Sequence, residues 1–265
     1  MRFGRTVSTM SKPNSINELH RQYLVQSLWT APNREYLLKL AGVRSTSRIL
    51  EVGCGTGVIL ADIRRKNVLS CFGIDLDFTS LCFAKTENPS NLLAAADAQL
   101  LPFPDQTFDI TLCHYFLLWV HDKNRTLREM IRVTRIGGAV IAFAEPDHRA
   151  RIDYPSNLEE IGCLQNLSLI NQGADTAAGR KLAQLFKTHG LVDVIVGIYG
   201  NEFRRENALE AHKFEWNYLR DDLAIWLDEE KINQLFELDR QAWSNGQRIL
   251  YIPTFWAIGW VNTST

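Results

Sequence analysis

The chain is 265 residues long, room for one large domain or two small ones. Its 46% apolar and 22% charged residues are ordinary for a soluble globular protein with a full core. With 29 basic against 30 acidic residues the net charge is -1, so no positive field recruits nucleic acid or an anionic membrane.

At the front, the first ten residues carry Arg2 and Arg5 but no apolar signal core. That excludes a secretory signal and leaves a short targeting or disordered tail, with Met10 as an alternative start. Residues 15–41 read as helical, with Leu19, Tyr23, Leu24, Leu28, Leu37 and Leu38 among the apolar positions, and Pro32 is expected to break the stretch into two helices. From residue 48 short apolar strands (48–52, 70–75, 91–96, 108–113, 139–145) alternate with helices (57–66, 78–86, 122–134). "IGG" at 136–138 is expected to cap the last of these helices. Strands that are continuous apolar runs, separated by helices, predict an α/β fold: a doubly wound, largely parallel sheet covered on both faces. Beyond 146 the alternation loosens. Helices fit 156–170, 176–188, 205–220 and 228–244; strands fit 192–200 and 248–261, with Pro253 marking a bend, bulge or edge. No stretch is long and apolar enough to span a bilayer. Cys54, Cys71, Cys82, Cys113 and Cys163 form no CxxC pair and no zinc spacing. An odd number of cysteines in mostly apolar contexts points to reduced thiols, no metal and a cytoplasmic setting.

The chemistry concentrates at "ILEVGCGTG", residues 49–57, where Gly53, Gly55 and Gly57 follow a buried strand. Ligands of a doubly wound sheet bind at the carboxyl ends of its strands. Gly53 and Gly55 would let the chain turn and let a ligand lie against bare backbone. Gly57 would let the next helix start close to the strand, its free N–H groups facing an anionic group. A dinucleotide loop needs G-x-G-x-x-G, but Val58 holds the place of the third glycine, and the carboxylate of Glu51 suits an ammonium better than a pyrophosphate. The bland alternative is a tight turn without ligand, which three spaced glycines disfavour. Asp75, 22 residues after Gly53, can accept both hydroxyls of a ribose; the alternative is a helix N-cap, for which Asp77 is better placed. Asp97, after the third strand, can accept from an adenine amino group while the Ala98 N–H meets a ring nitrogen.

In order and spacing, "ILEVGCGTG", "GIDLD", "ADAQLLPFPDQTFDITLCHYFLLWV" and "EMIRVTRIGGAVIAFAEPD" resemble the class I S-adenosylmethionine-dependent methyltransferases. The nearest branch is the ubiquinone/menaquinone-biosynthesis-like one (type 11). The resemblance is strong over 45–147 and continues in "GRKLAQLFKTHGLVDVIV". It implies a seven-stranded sheet whose last strand is antiparallel, with 192–200 and 248–261 as a hairpin. It further implies one methyltransferase domain over 1–265: a cofactor-binding core at 45–147, an N-terminal helical cap at 15–41, and insertions or cap elements at 146–175 and 203–247. The implied cofactor is S-adenosylmethionine, with S-adenosylhomocysteine as product. The backbone of Gly53, Cys54, Gly55 and Gly57 would hold its methionine part and Glu51 its ammonium group. Asp75 would take the ribose, Leu76 would pack on the adenine, and Asp97 and Ala98 would read the adenine edge. His114 falls where the family places a cofactor-contacting or active-site residue. Family members often carry a small polar residue or Arg there, so a histidine would instead be a proton acceptor.

Methyl transfer from a sulfonium is an in-line displacement, and a base is needed only if the acceptor must lose a proton. His114 and Glu145 are the candidate bases at strand ends. His121 reads better as a helix-start residue, and His148 is divided evenly between a loop residue and a site residue. After strand four the chain reads "CHYF", with no Asn/Asp-Pro-Pro-aromatic motif and no acid placed for a metal; Pro-Cys is also absent. The aromatics Tyr23, Trp29, Tyr36, Phe214, Trp216, Tyr218, Trp226 and Trp243 lie outside the core. They read as amphipathic-helix packing or, less simply, as a lid for an apolar acceptor. The expected activity is methylation of a small molecule, possessing an apolar or aromatic body, at oxygen, nitrogen or carbon. The rivals are a protein or RNA methyltransferase, an NAD-dependent oxidoreductase and a non-catalytic cofactor-binding protein.

Overall fold

The computed structural model describes residues 15–200 and 208–262. The expectations for residues 1–14 and for the first residues of the 203–247 insertion lie outside them. In chain order the elements are α1 (Ile16–Leu40), β1 (Arg48–Val52), α2 (Val58–Arg65), β2 (Ser70–Asp75), α3 (Phe78–Glu87), β3 (Leu92–Ala95), β4 (Phe108–Cys113), α4 (Lys123–Val133) and β5 (Thr134–Pro146). Then follow β6 (Ile152–Tyr154), α5 (Glu159–Asn171), α6 (Leu182–Thr188), β7 (Val192–Ile198), α7 (Ala208–Ala224), α8 (Glu229–Ser244), β8 (Ile249–Tyr251) and β9 (Thr254–Trp260).

Seven strands form one sheet in the order β3-β2-β1-β4-β5-β9-β7. β1 through β5 run parallel to one another, and β9 is antiparallel to β7. This is the Rossmann-like methyltransferase sheet with its antiparallel last strand. Successive strand residues point to opposite faces. Ile49, Cys71, Leu112 and Ile141 accordingly enter one buried cluster, while Leu50, Ile74, Cys113 and Val140 enter another. Both faces are covered, which explains why these strands show no polar alternation. The strand order reverses between β1 and β4, and the loop 53–57 leaves β1 at that point.

Three local expectations are corrected. Pro32 does not split α1, which runs unbroken from Ile16 to Leu40. Arg34 Nη1 donates to the Ser27 carbonyl and the Thr30 hydroxyl, both at 2.5 Å, bracing the turn ahead of the proline. Leu28, whose carbonyl loses the proline's N–H, lies on the exposed face. "IGG" is no helix cap: α4 ends at Thr134, whose backbone is already extended. Gly137 and Gly138 sit inside β5, where the register with β4 shifts and Gly137 N–H donates to the Val261 carbonyl. The stretch 248–261 is two strands parted at Pro253: β8 pairs with the unforeseen β6, and β9 enters the main sheet.

The chain forms two compact units. The larger joins Pro13–Glu145, Ala178–Tyr199 and Thr254–Thr265; it contains α1 and the whole seven-stranded sheet. The smaller draws on Pro146–Ala177 and Gly200–Pro253. It has its own core of Leu158, Ile161, Trp216, Leu219, Ile232 and Leu235. Beneath it lies a buried ion network, in which Arg248 bridges Asp239 and Asp153 at 2.5 Å each and Arg151 clamps Asp153 at 2.7 Å.

Candidate functional site

The loop after β1 takes a backbone path that favours glycine. Gly53, Gly55 and Gly57 have φ of 74°, 47° and 77°, in the left-handed region. Two backbone donors, Gly53 N–H and Cys54 N–H, converge on the Ile74 carbonyl at 2.9 Å, fastening the loop to the end of β2. From that end Asp75 reaches back. Its carboxylate accepts Gly55 N–H at 2.7 Å and Asp77 N–H at 2.9 Å. Asp75 therefore shapes the loop as well as facing the place expected for a ribose, and each oxygen keeps a lone pair for a further donor. Asp77, as expected, is the N-cap of α3. Burial raises the Asp75 carboxyl above its usual range, against the pull of its backbone donors.

The bare faces of the glycines are not empty. A Cβ on Gly53 would lie 2.1 Å from the Phe116 ring, and one on Gly55 would lie 2.8 Å from the Tyr23 ring. Tyr23 comes from α1, and its neighbour His20 bonds the Thr56 hydroxyl at 2.9 Å. Burial, then the charges of Asp75 and Asp77, push the Tyr23 phenol up to about 12, so it stays protonated. Gly53 and Gly55, expected to let a ligand lie against bare backbone, each admit an aromatic ring here. Neither ring was foreseen. Phe116 stands in the quoted "CHYF" with no spacing that marks it, and Tyr23 is separated from the loop by a whole helix.

Glu51 is 2% exposed, and its Oε2 has no partner among the described residues. Burial raises its carboxyl well above the usual range, opposed by the Arg34 charge and by the Leu60 N–H. A buried carboxylate oxygen without a donor awaits one, and the ammonium group of a methionine moiety fits that requirement. On the far side of β2, Leu76 is 69% exposed and Asp97 is open to solvent, its Oδ1 accepting only Gln99 N–H at 2.8 Å; Ala98 is buried beside it. Cys54 is a buried thiol held protonated by burial.

At the end of β4, Tyr115 has a φ of 49°, a strained value for a bulky residue. That kink sends His114 toward α1 and Phe116 toward Gly53. His114 Nε2 bonds the Thr30 hydroxyl at 2.9 Å, and Thr30 is bonded in turn by Arg34, which pairs with Asp62 on α2 at 2.9 Å. Burial, helped by the Arg34 charge, pushes His114 down to about 3, so the ring is neutral and a weak base. Glu145 is fully buried. Its Oε1 accepts Phe116 N–H at 3.0 Å and Leu117 N–H at 2.8 Å, and its Oε2 accepts Leu118 N–H at 3.0 Å. The three amides give Glu145, expected as a candidate base, a structural part in the turn after β4. His121 precedes the α4 N-cap Asp122, as a helix-start residue does. His148 falls in the 148–150 turn of the smaller unit. No metal-binding cluster occurs among the described residues.

Residues 50–142 match the methyltransferase-domain family. An uncharacterized methyltransferase of Schizosaccharomyces pombe is 32% identical over 58% of this chain and 60% of its own length. The ubiquinone/menaquinone biosynthesis C-methyltransferase of Teredinibacter turnerae is 29% identical over 67% of this chain and 73% of its own. The malonyl-[acyl-carrier protein] O-methyltransferase of Hamiltonella defensa is 36% identical, over 40% of each chain. The alignments with the first and last of these thus leave a large part of each relative uncovered. Among solved structures, phosphoethanolamine N-methyltransferase 2 of Haemonchus contortus, in complex with S-adenosyl-L-methionine, superposes with a TM-score of 0.62 at 14% identity. It covers 96% of this chain and 59% of the other.

The sheet order and the glycine loop are those of the class I S-adenosylmethionine-dependent methyltransferase fold, and residues 50–142 carry the methyltransferase-domain match. Several of the relatives are ubiquinone/menaquinone biosynthesis C-methyltransferases.

Proposed function

We propose that the chain methylates a small molecule with an apolar or aromatic body, as a member of the ubiquinone/menaquinone-biosynthesis-like branch. The observation that carries the cofactor side is the unpartnered, buried Oε2 of Glu51 beside a loop that Asp75 anchors. When bound, S-adenosylmethionine supplies a methyl group already activated on a sulfonium. Glu51 would meet the ammonium group, Asp75 the ribose, Leu76 the adenine face, and Asp97 with Ala98 the adenine edge. On the acceptor side, His114 is neutral and tethered, so it orients a hydrogen bond and is a poor proton abstractor. That favours an acceptor whose reacting atom is nucleophilic without strong base assistance. The exposed Trp29 and Tyr36 on α1 offer apolar surface for the rest of it.

Titration calorimetry with S-adenosylmethionine, S-adenosylhomocysteine and NAD tests the cofactor side. The first two should bind and NAD should not. Asp75→Ala should cost about 1.5–3 kcal/mol of S-adenosylmethionine binding, as expected for hydrogen bonds to a charged acceptor. Unchanged affinity would remove Asp75 from the site. Methyl transfer to acceptors with an aromatic or long alkyl body, assayed against small polar acceptors, tests the acceptor class; turnover confined to the small polar acceptors would refute it.

A further inference from the structure

We infer that Glu145 is a positioning residue for the cofactor site: by gathering the amides of Phe116, Leu117 and Leu118 it fixes the turn after β4 and seats the Phe116 ring on Gly53. The inference rests on the methyltransferase reading above. Three successive N–H groups converging on one carboxyl group make a nest that fixes the path of the turn. The turn is strained at Tyr115, so something must hold it. Glu145 holds it on one side, and Tyr115 N–H donating to the Ala144 carbonyl at 2.8 Å holds it on the other. The same turn directs Phe116 onto Gly53, within the loop that would hold the methionine part. A change confined to the end of β5 therefore reaches the cofactor through one ring. Glutamine has the shape of glutamate, but its amide would set N–H against the Leu118 N–H or against the pair at 116 and 117.

The test is a double-mutant cycle read by S-adenosylmethionine titration, with amide NMR of residues 116–118 in the cofactor-free protein. E145Q should move those amide resonances upfield and weaken binding about tenfold. F116L should weaken binding by a similar factor while leaving the amide resonances in place. The double variant should bind no more weakly than F116L alone, because both changes act through the same ring. Additive losses, or unchanged affinity in E145Q despite shifted amides, overturn the proposal. If E145Q does not fold, F116L carries the test, and wild-type affinity in that variant overturns it. Wild-type protein with assigned 116–118 amides but no S-adenosylmethionine binding would overturn the functional reading, and the proposal with it.

Discussion

Gly53 shows how narrow the tolerance of the site is at the scale of one residue. Alanine there would have to hold a φ of 74° and place its Cβ 2.1 Å from the Phe116 ring. The left-handed backbone alone costs about 1–2 kcal/mol, and the displaced ring adds to it. Gly53→Ala should therefore lower the urea midpoint and abolish S-adenosylmethionine binding; a stable variant with normal affinity would show that the ring contact is dispensable. His114 makes a prediction of the opposite kind, about pH. Its folded value of about 3 lies below the ordinary 6.5, so the unfolded chain takes up a proton that the folded one refuses. Stability from this residue is lost as pH falls from about 6.5 towards 3. Glu145 acts in the reverse sense: raised from 4.5 to about 7, it withdraws stability as pH rises through that window. His114→Gln should move the midpoint of acid unfolding to lower pH, followed by circular dichroism, and an unmoved midpoint would contradict the buried neutral ring. The polar residues on the loop and strands were legible in the sequence because motif spacing carries them. Phe116 and Tyr23 were not, since an aromatic that packs on a glycine looks like any other apolar residue until the backbone is folded.

Among the elements, α1 is the one whose role changed most on folding. Its helical character was legible; its continuity was not, nor was a buried face that includes Gln22, Ser27, Thr30 and Arg34. Proline normally ends a helix because it removes a donor and crowds the preceding turn. Here a guanidinium two residues further on supplies donors to the same turn, an arrangement that propensity alone does not encode. Arg34 is 2% exposed and also ties α1 to Asp62 on α2. Arg34→Met should cost about 2–3 kcal/mol, less than the full loss of a buried pair because Asp62 keeps some solvent. Thermal melts check the cost. Amide exchange checks the location, with opening expected around residues 27–32; a uniform loss of protection across α1 would show that the brace at Pro32 is not special. The strands from β1 to β5 were legible because buried parallel strands are uninterrupted apolar runs. β6 was missed because three residues in a small antiparallel pair leave no periodic trace, and β8 was fused with β9 because both sides of Pro253 are apolar.

Taken as a whole molecule, the chain was legible as a doubly wound sheet and far less so as two compact units. The smaller unit is held by charge as well as by its apolar core. Arg248, Asp239 and Asp153 are almost fully buried, and Trp216 Nε1 donates to Asp239 at 2.8 Å. Removing one partner strands the others in a medium that cannot solvate them, so Arg248→Met should destabilise this unit by about 3–5 kcal/mol. Denaturation followed by tryptophan emission should register it; a variant as stable as the wild type would mean that the two acids share a proton once the cation is gone. The path of the chain has a further consequence, for the order in which the protein can be made. β9 lies between β5 and β7, yet it leaves the ribosome after both. Until residue 260 emerges, β5 presents an unpaired, largely apolar edge and β7 has no neighbour to join. Exposed strand edges recruit other strands. A nascent chain stalled anywhere between residues 146 and 254 is therefore a sticky intermediate, and any message truncated before β9 encodes an aggregation hazard in place of a smaller enzyme.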